Sequence, residues 1–372
     1  MEHDYIALTK EYGTKTAAAK AIGIPRTTFK DRYRSQEQSQ SLNKLGLNPQ
    51  DAESAILDGL EVKGTSRYYK LEDGGMWVKT DQERVEAESN FKKILDSLID
   101  DIPKVPPTEY THVPSSNLCS TYIISDFHLG QYSSKKETGD EWTVDIAFDC
   151  IVKWFQKAVH QSPFSKQAVL VDLGDFLHAD GLTPITPASG HILDASGRFR
   201  DVFDVAMKIF DQAIQILLEK HESVHVIICE GNHNESTSYL TTVAVSRRYE
   251  DEPRVTFDFS HAPYYAYEWG KTSLFFHHGH KKRIADVART FAGMFRDVFG
   301  KTEKSYGHVG HMHHRDMKEC SLMVMEQHST LAAKDAYSAR GGYLSERGAS
   351  VINYHKDYGE VGRITIRPEM LS

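Results

Sequence analysis

Five short groups in the middle of the sequence combine the side chains that hold divalent cations: Ser125-Asp126-Phe127-His128, Leu173-Gly174-Asp175, Glu230-Gly231-Asn232-His233, His277-His278-Gly279-His280 and Gly310-His311-Met312-His313. Their donors are carboxylate and amide oxygens and imidazole nitrogens, with no thiolate. Such a set favours manganese or iron over a closed structural zinc site, and zinc remains compatible with it. Each group alone is a weak signal, since a pair such as His311 and His313 on a strand is usually an ordinary half-buried pair. Position ties them together, because every group follows a short apolar run.

Those runs set the fold class. Tyr122-Ile123-Ile124, 168–173 and 224–229 read as buried strands, and amphipathic helices are expected between them over 146–159 and 203–218. That βαβ rhythm predicts an α/β domain with a largely parallel sheet flanked by helices. Beyond His261, strand-like runs dominate at Leu274-Phe275-Phe276, 322–324 and 351–354, with one helix near 284–299. A second sheet packed on the first is expected from them. In open α/β sheets ligands bind beyond the carboxyl ends of the strands, so the five groups can converge on one site.

Taken in order, D-x-H, G-D, G-N-H, H-G and G-H-x-H over about residues 120–330, the groups resemble the calcineurin-like metallophosphoesterases. The resemblance implies a four-layer α/β sandwich with a dinuclear metal centre. It implies that Asp126, His128 and His313 hold one cation, that Asn232, His278 and His311 hold the other, and that Asp175 bridges them. Two cations roughly 3.5–4 Å apart can clamp the attacking and leaving oxygens of a phosphoryl displacement and acidify a water between them. A bridging carboxylate offsets their repulsion. The resemblance gives His233 the remaining role, donating to the phosphoryl oxygen or the leaving group, for which an imidazole pKa of about 6.5 is suited. His277, His280, His308 and His314 neighbour the ligands and can act by orienting them. The family often follows G-N-H with an acidic residue, and Asn234 stands there instead, which puts the hydrogen bonding around His233 in question. His178, three residues after Asp175, resembles the histidine with which SbcD-like nucleases help place a nucleotide, and it also reads as a plain capped loop residue.

The bulk composition narrows the partners. A net charge of -8 over 372 residues excludes a protein that coats nucleic acid or anionic lipid with its whole surface, so any such contact must be local. The four cysteines are far apart and form neither a zinc pair nor a disulfide framework, as expected in a reducing cytoplasm. The first ten residues lack the pattern of a signal peptide, and no apolar run approaches roughly 20 residues, so a cytoplasmic protein with no membrane partner is expected.

The basic charge is concentrated at the N-terminus. Thr16 to Lys30 reads as two short helices broken at Gly23, with Pro25 opening a third, and resembles a Fis-like helix-turn-helix. The third helix would present Arg26, Thr27, Thr28, Lys30, Arg32 and Arg34 to DNA phosphates, or alternatively to another protein. Residues 1–35 are read as this module. Residues 36–117 are read as a linker, polar over 35–43, with a hairpin around Glu72-Asp73-Gly74-Gly75, an amphipathic helix over 81–102 and a proline-rich end. Residues 118–372 are read as the metallophosphoesterase domain.

The expectation is a manganese-dependent DNA phosphodiesterase, most simply a nuclease, delivered to DNA by its N-terminal module. The module order also resembles that of metallophosphoesterases carried by tailed phages; the resemblance to SbcD-like nucleases implies a partner ATPase, and a homo-oligomer is the alternative assembly. Two alternatives stay open: a phosphatase or cyclic-nucleotide phosphodiesterase, and a DNA-binding regulator with a structural metal site. The basic, glycine-containing stretch 340–347 is a candidate backbone clamp or a mobile loop.

Overall fold

Two capped helices begin the chain. Asp4 Oδ1 accepts from the backbone N–H groups of Ile6 and Ala7 at 3.0 Å, starting α1 (Tyr5–Glu11), and Thr14 Oγ1 accepts from Ala17 N–H at 3.1 Å, starting α2 (Lys15–Ala21). Gly23, at φ +71°, provides the left-handed residue that ends α2. Ala18 and Ala19 are small enough for α2 to cross closely, and they are buried with Tyr5 and the fully buried Phe29 of α3 (Arg26–Lys44). This third helix runs through 35–43, where a linker is expected from the sequence. That stretch holds glutamines, a glutamate and a leucine but no glycine or proline to stop a helix. The expected hairpin is present as β1 (Gly64–Leu71) and β2 (Gly74–Asp81), paired antiparallel from Gly64↔Asp81 to Leu71↔Gly74.

The computed structural model describes residues 3–44, 64–71, 74–81, 103–110, 114–187 and 189–371. The helix expected over 81–102 lies, apart from Asp81, outside the described residues. The chain divides into two units, Met1–Ile94 and Leu95–Ser372.

In the second unit the chain passes through β3 (Ser115–Ile124), α4 (Lys135–Thr138), α5 (Val144–Gln161), β4 (Ser165–Asp172), α6 (Phe199–Lys220), β5 (Ser223–Ile228), α7 (Glu235–Arg248) and β6 (Val255–Phe257). It continues through β7 (Tyr265–Trp269), β8 (Thr272–His277), α8 (Ile284–Met294), α9 (Arg296–Lys301), β9 (Lys304–Val309), β10 (Asp316–Glu319) and β11 (Val324–Gln327). It finishes with α10 (Ala336–Arg340), β12 (Ala349–His355) and β13 (Gly359–Ile366). One sheet has the order β13-β12-β3-β4-β5-β6 and the other β10-β11-β9-β8-β7. β3, β4, β5 and β6 run parallel, as do β8, β9 and β11.

Period-2 alternation sorts the strand residues between two cores. Ile123, Val169, Val171 and Ile227 face the second sheet and pack with Leu274 and Phe276, whereas Tyr122, Ile124, Leu170 and Val226 face α5 and α6. A third cluster places Val287, Ala288 and Phe291 of α8 on the outer side of the second sheet, against Phe275 and Met325. The result is helices, sheet, sheet, helices, the expected four layers. Two details differ from the sequence reading. The run at 351–354 joins the first sheet as β12, antiparallel to β3, rather than the second. The helix expected over 284–299 breaks at Phe295, whose φ of -107° and ψ of 48° leave the helical region. No helix among the described residues is long and apolar enough to cross a membrane.

Candidate metal centre

Among the described residues, five that are not glycine have positive φ: Asp126 (49°), His128 (46°), Asp175 (56°), His311 (74°) and His313 (53°). An L-residue in the left-handed region costs of order 1–3 kcal/mol and persists only where the surroundings over-determine it. Here the strain is confined to residues that chemistry alone singles out as ligands. Each lies just past the carboxyl end of a parallel strand, β3, β4 or β9, and the sharp reversals turn the side chains back over the sheet edges. Motif glycines make room for them. A Cβ on Gly231 would collide with the side chain and amide of Asp175, and one on Gly310 would collide with Ser125 Oγ and come within 2.7 Å of Asp126 Oδ2.

The loops deliver two adjoining donor groups, Asp126-His128-His313 and Asp175-His278-His311, each with its ligand atoms within 4.8 Å of one another. His128 Nε2 lies 3.2 Å from His313 Nε2, and His313 Nε2 lies 3.3 Å from Asp126 Oδ1. In the second group His278 Nε2 lies 3.0 Å from Asp175 Oδ2 and 3.0 Å from Asn232 Oδ1. Two donors each roughly 2.1 Å from one cation are separated by about 3.0–3.4 Å at octahedral to tetrahedral angles. These four spacings fit shared coordination, and the His311 ring lies beside the second group, its centroid 5.1 Å from that of His278. Asp126 Oδ1 is 3.9 Å from His278 Nε2, which makes the two groups neighbours. All seven residues expected as ligands are thus brought together.

Ring orientation is fixed from behind. His278 Nδ1–H donates to the Leu173 carbonyl at 2.8 Å, leaving Nε2 for the centre. The Asp126 carboxylate accepts from the His311 backbone N–H at 2.9 and 3.1 Å and from the Ser125 hydroxyl. The Thr330 hydroxyl holds the Asp126 carbonyl at 2.6 Å. Burial alone would raise the Asp126 carboxyl, but His313 and His278 beside it override burial and hold it below the usual carboxylate range; Asp175 is held down against burial by His278 and His233. Burial would lower His278, yet the Asp175 and Asp126 carboxylates raise it to about 9. A proton on His278 is thus favoured by the same two carboxylates that would attract a cation. Cation binding must displace it.

His233 and His178 form the wall beside these ligands. His233 N–H donates to Asp175 Oδ1 at 2.7 Å, and His233 Nδ1–H donates to the His178 carbonyl at 2.9 Å, so His233 Nε2 is not used by either bond. The His178 and His233 rings stack with centroids 5.5 Å apart. His178 Nδ1 meets His128 Nδ1 at 3.2 Å. His178 thereby contacts His128, one of the expected ligands, and accepts from His233 at its carbonyl. Asn234 answers the question raised by the absent acid: its Oδ1 accepts from the amides of both Asp175 and Gly231 at 3.1 Å, as a carboxylate would.

Sequence reasoning missed Asp180 and Thr330. Asp180 accepts from Ser236 N–H, Thr237 N–H and the Thr237 hydroxyl, pinning the His178 loop to the start of α7. Neither residue lies in a motif, and only folding brings them to the site. Of the neighbouring histidines, His277 stacks on Tyr264 at 4.3 Å, His314 bonds the Met312 carbonyl and Gln327, and His308 pairs with His328. The His280 ring lies 5.2 and 6.2 Å from those of His278 and His311. In the N-terminal unit Arg26, Thr27, Lys30, Arg32 and Arg34 are exposed and Thr28 is half-buried, but the Arg32 guanidinium already donates to Tyr5 Oη at 2.8 Å.

No family profile matches the chain, and no curated protein matches it. Among solved structures it is similar to an uncharacterised Streptococcus pneumoniae protein described as a phosphoesterase, with 12% identity over 68% of this chain and 100% of that one, at a TM-score of 0.27. It is similar to an archaeal phosphodiesterase, with 14% identity over 66% and 99% at a TM-score of 0.35, and to Vps29 of Entamoeba histolytica in complex with zinc, with 11% identity over 67% and 99% at 0.31.

Proposed function

We propose that the second unit hydrolyses phosphate diesters with two divalent cations, manganese being the expected pair, and that its substrate is DNA. The observation that carries the reading is the coincidence of backbone strain with ligand spacing: the five strained residues are all donors, and the donors stand at the separations that shared cations require. When bound, such cations would neutralise a phosphate and lower the pKa of a water beside it. The chain's own part is to hold Asp126, His128 and His313 on one side and Asn232, His278 and His311 on the other, with Asp175 between. His233, oriented through Nδ1, turns its Nε2 to a phosphoryl or leaving oxygen and donates a proton there.

The N-terminal helices supply delivery in this reading, with Arg26, Lys30 and Arg34 binding phosphates and Arg32 committed in part to Tyr5. A panel of linear, hairpin and circular DNA, RNA, cyclic dinucleotides, phosphomonoesters and a chromogenic diester, incubated with manganese, tests the substrate class. Cleavage of DNA and the diester is expected, and cleavage of monoesters alone would contradict it. Changing Arg26, Lys30 and Arg34 together to alanine should flatten the salt dependence of DNA binding by about 0.9 for each phosphate no longer neutralised. An unchanged slope would assign the helices to a protein partner instead.

A further inference from the structure

The metal ligands open into a cavity of about 400 Å³, and its far wall is the segment that follows Ala333. Two tyrosines stand there exposed, Tyr337 at 75% and Tyr343 at 56%, with Lys334 on the same wall. Their rings are tilted by 31° with centroids 6.4 Å apart, close to twice the ~3.4 Å spacing of stacked bases. Aromatic rings exposed in a cavity offer flat apolar faces that a planar ligand can cover.

The segment is built to hold those rings still. Asp335 Oδ1 accepts from Ser338 N–H at 2.7 Å and caps α10, and Gly341 leaves space that a Cβ would take from the Tyr343 ring. Arg340 Nη2 donates to Glu137 at 2.8 Å, and Arg347 Nη2 donates to the Leu331 carbonyl at 2.6 Å. Both arginines of the stretch 340–347 therefore tie the segment to the rest of the unit. What they anchor is an aromatic pair within one cavity of His128, His233 and His313.

We propose that Tyr337 and Tyr343 form a stacking platform for a nucleobase next to the scissile phosphate, so that the site selects nucleotidyl diesters over diesters without bases. The scissile phosphate rests on the diesterase reading, and the base on the tyrosine geometry alone. Base–aromatic stacking tolerates any sequence, so the platform would take any base.

The test uses the full chain with manganese and two trinucleotides of equal charge, one carrying 2-aminopurine and one abasic throughout. The wild-type protein is expected to quench 2-aminopurine fluorescence and to bind the base-bearing trinucleotide more tightly by about 10- to 100-fold. Tyr337→Ala with Tyr343→Ala should abolish the quench and bring that affinity ratio near one, while Tyr337→Phe with Tyr343→Phe should retain both. Absence of the quench in the wild-type protein, or its survival in the double alanine variant, would overturn the platform. A quench that behaves as expected in a protein that cleaves no diester would leave the platform standing and remove the diesterase reading.

Discussion

Among the described residues, the second unit has two buried histidine clusters, and only one of them is built like a metal centre. His308, Glu326 and His328 offer the same donor groups as Asp126, His128 and His313, one carboxylate and two imidazoles, and their donor atoms also lie within 4.8 Å of one another. There the polar atoms pair with one another, with arginine and with a tyrosine. Arg363 donates to both oxygens of Glu326, at 2.8 Å on Oε2, and Arg315 adds an ion pair at 3.3 Å. His308 Nδ1 meets His328 Nε2 at 2.9 Å, and its Nε2 meets the Tyr354 hydroxyl at 3.0 Å. Burial and His328 push His308 down to about 3, so the cluster is neutral imidazole beside a carboxylate neutralised by guanidinium. No residue of it has positive φ. Among the described residues the candidate centre's carboxylates have no arginine partner, His278 is oriented from behind by the Leu173 carbonyl, and the backbone at five of the donors is strained. Residue type does not make a cation site. Lone pairs left converging and unneutralised do.

The largest expected break in this contrast is Asp175→Asn. A neutral amide cannot offset two cations, so hydrolysis should vanish and bound manganese should fall, measured as diester turnover and metal per chain. Near-normal turnover at saturating manganese would show that Asp175 does not lie between the cations. Next comes His233→Ala, which removes a proton donor but no ligand. Turnover should fall by about 10²- to 10⁴-fold with both metals kept, and loss of metal in step with activity would make His233 a ligand. The smallest effect on metal belongs to Glu326→Gln. It should leave manganese content unchanged while lowering stability in denaturant by about 1–3 kcal/mol, because Arg363 loses part of its buried charge-assisted pairing. Loss of a metal in that variant would make the two clusters alike.

The difference between the clusters is partly legible in the sequence. Strand-end position marks Asp126, Asp175, Asn232, His278 and His311, because parallel strands present their carboxyl ends together and the order of the motifs survives folding. His308 is different: by sequence it is a neighbour that can orient a ligand, yet it lies inside β9, before the strand ends. Its actual partners, Tyr354 and His328, come from β12 and from the segment after β11, pairings that no local pattern encodes. The same limit hides β12 in the first sheet, between β13 and β3, since its residues read as one more buried strand after the second sheet has begun. Asn234 reads by residue type as a departure, and its two accepted hydrogen bonds are visible only once Gly231 and Asp175 are neighbours. The 35–43 stretch shows the converse error, in which polarity suggests a linker although nothing there stops a helix.

Metal stoichiometry is the most direct test of the central claim, because the two clusters differ in whether they should hold cations at all. Elemental analysis of the manganese-loaded, gel-filtered full chain should give two equivalents per chain in the wild-type protein and in the Glu326→Gln variant, with fewer in Asp175→Asn. One equivalent or none in the wild-type protein, or a count that drops with Glu326 and not with Asp175, would contradict a dinuclear centre at the strand ends.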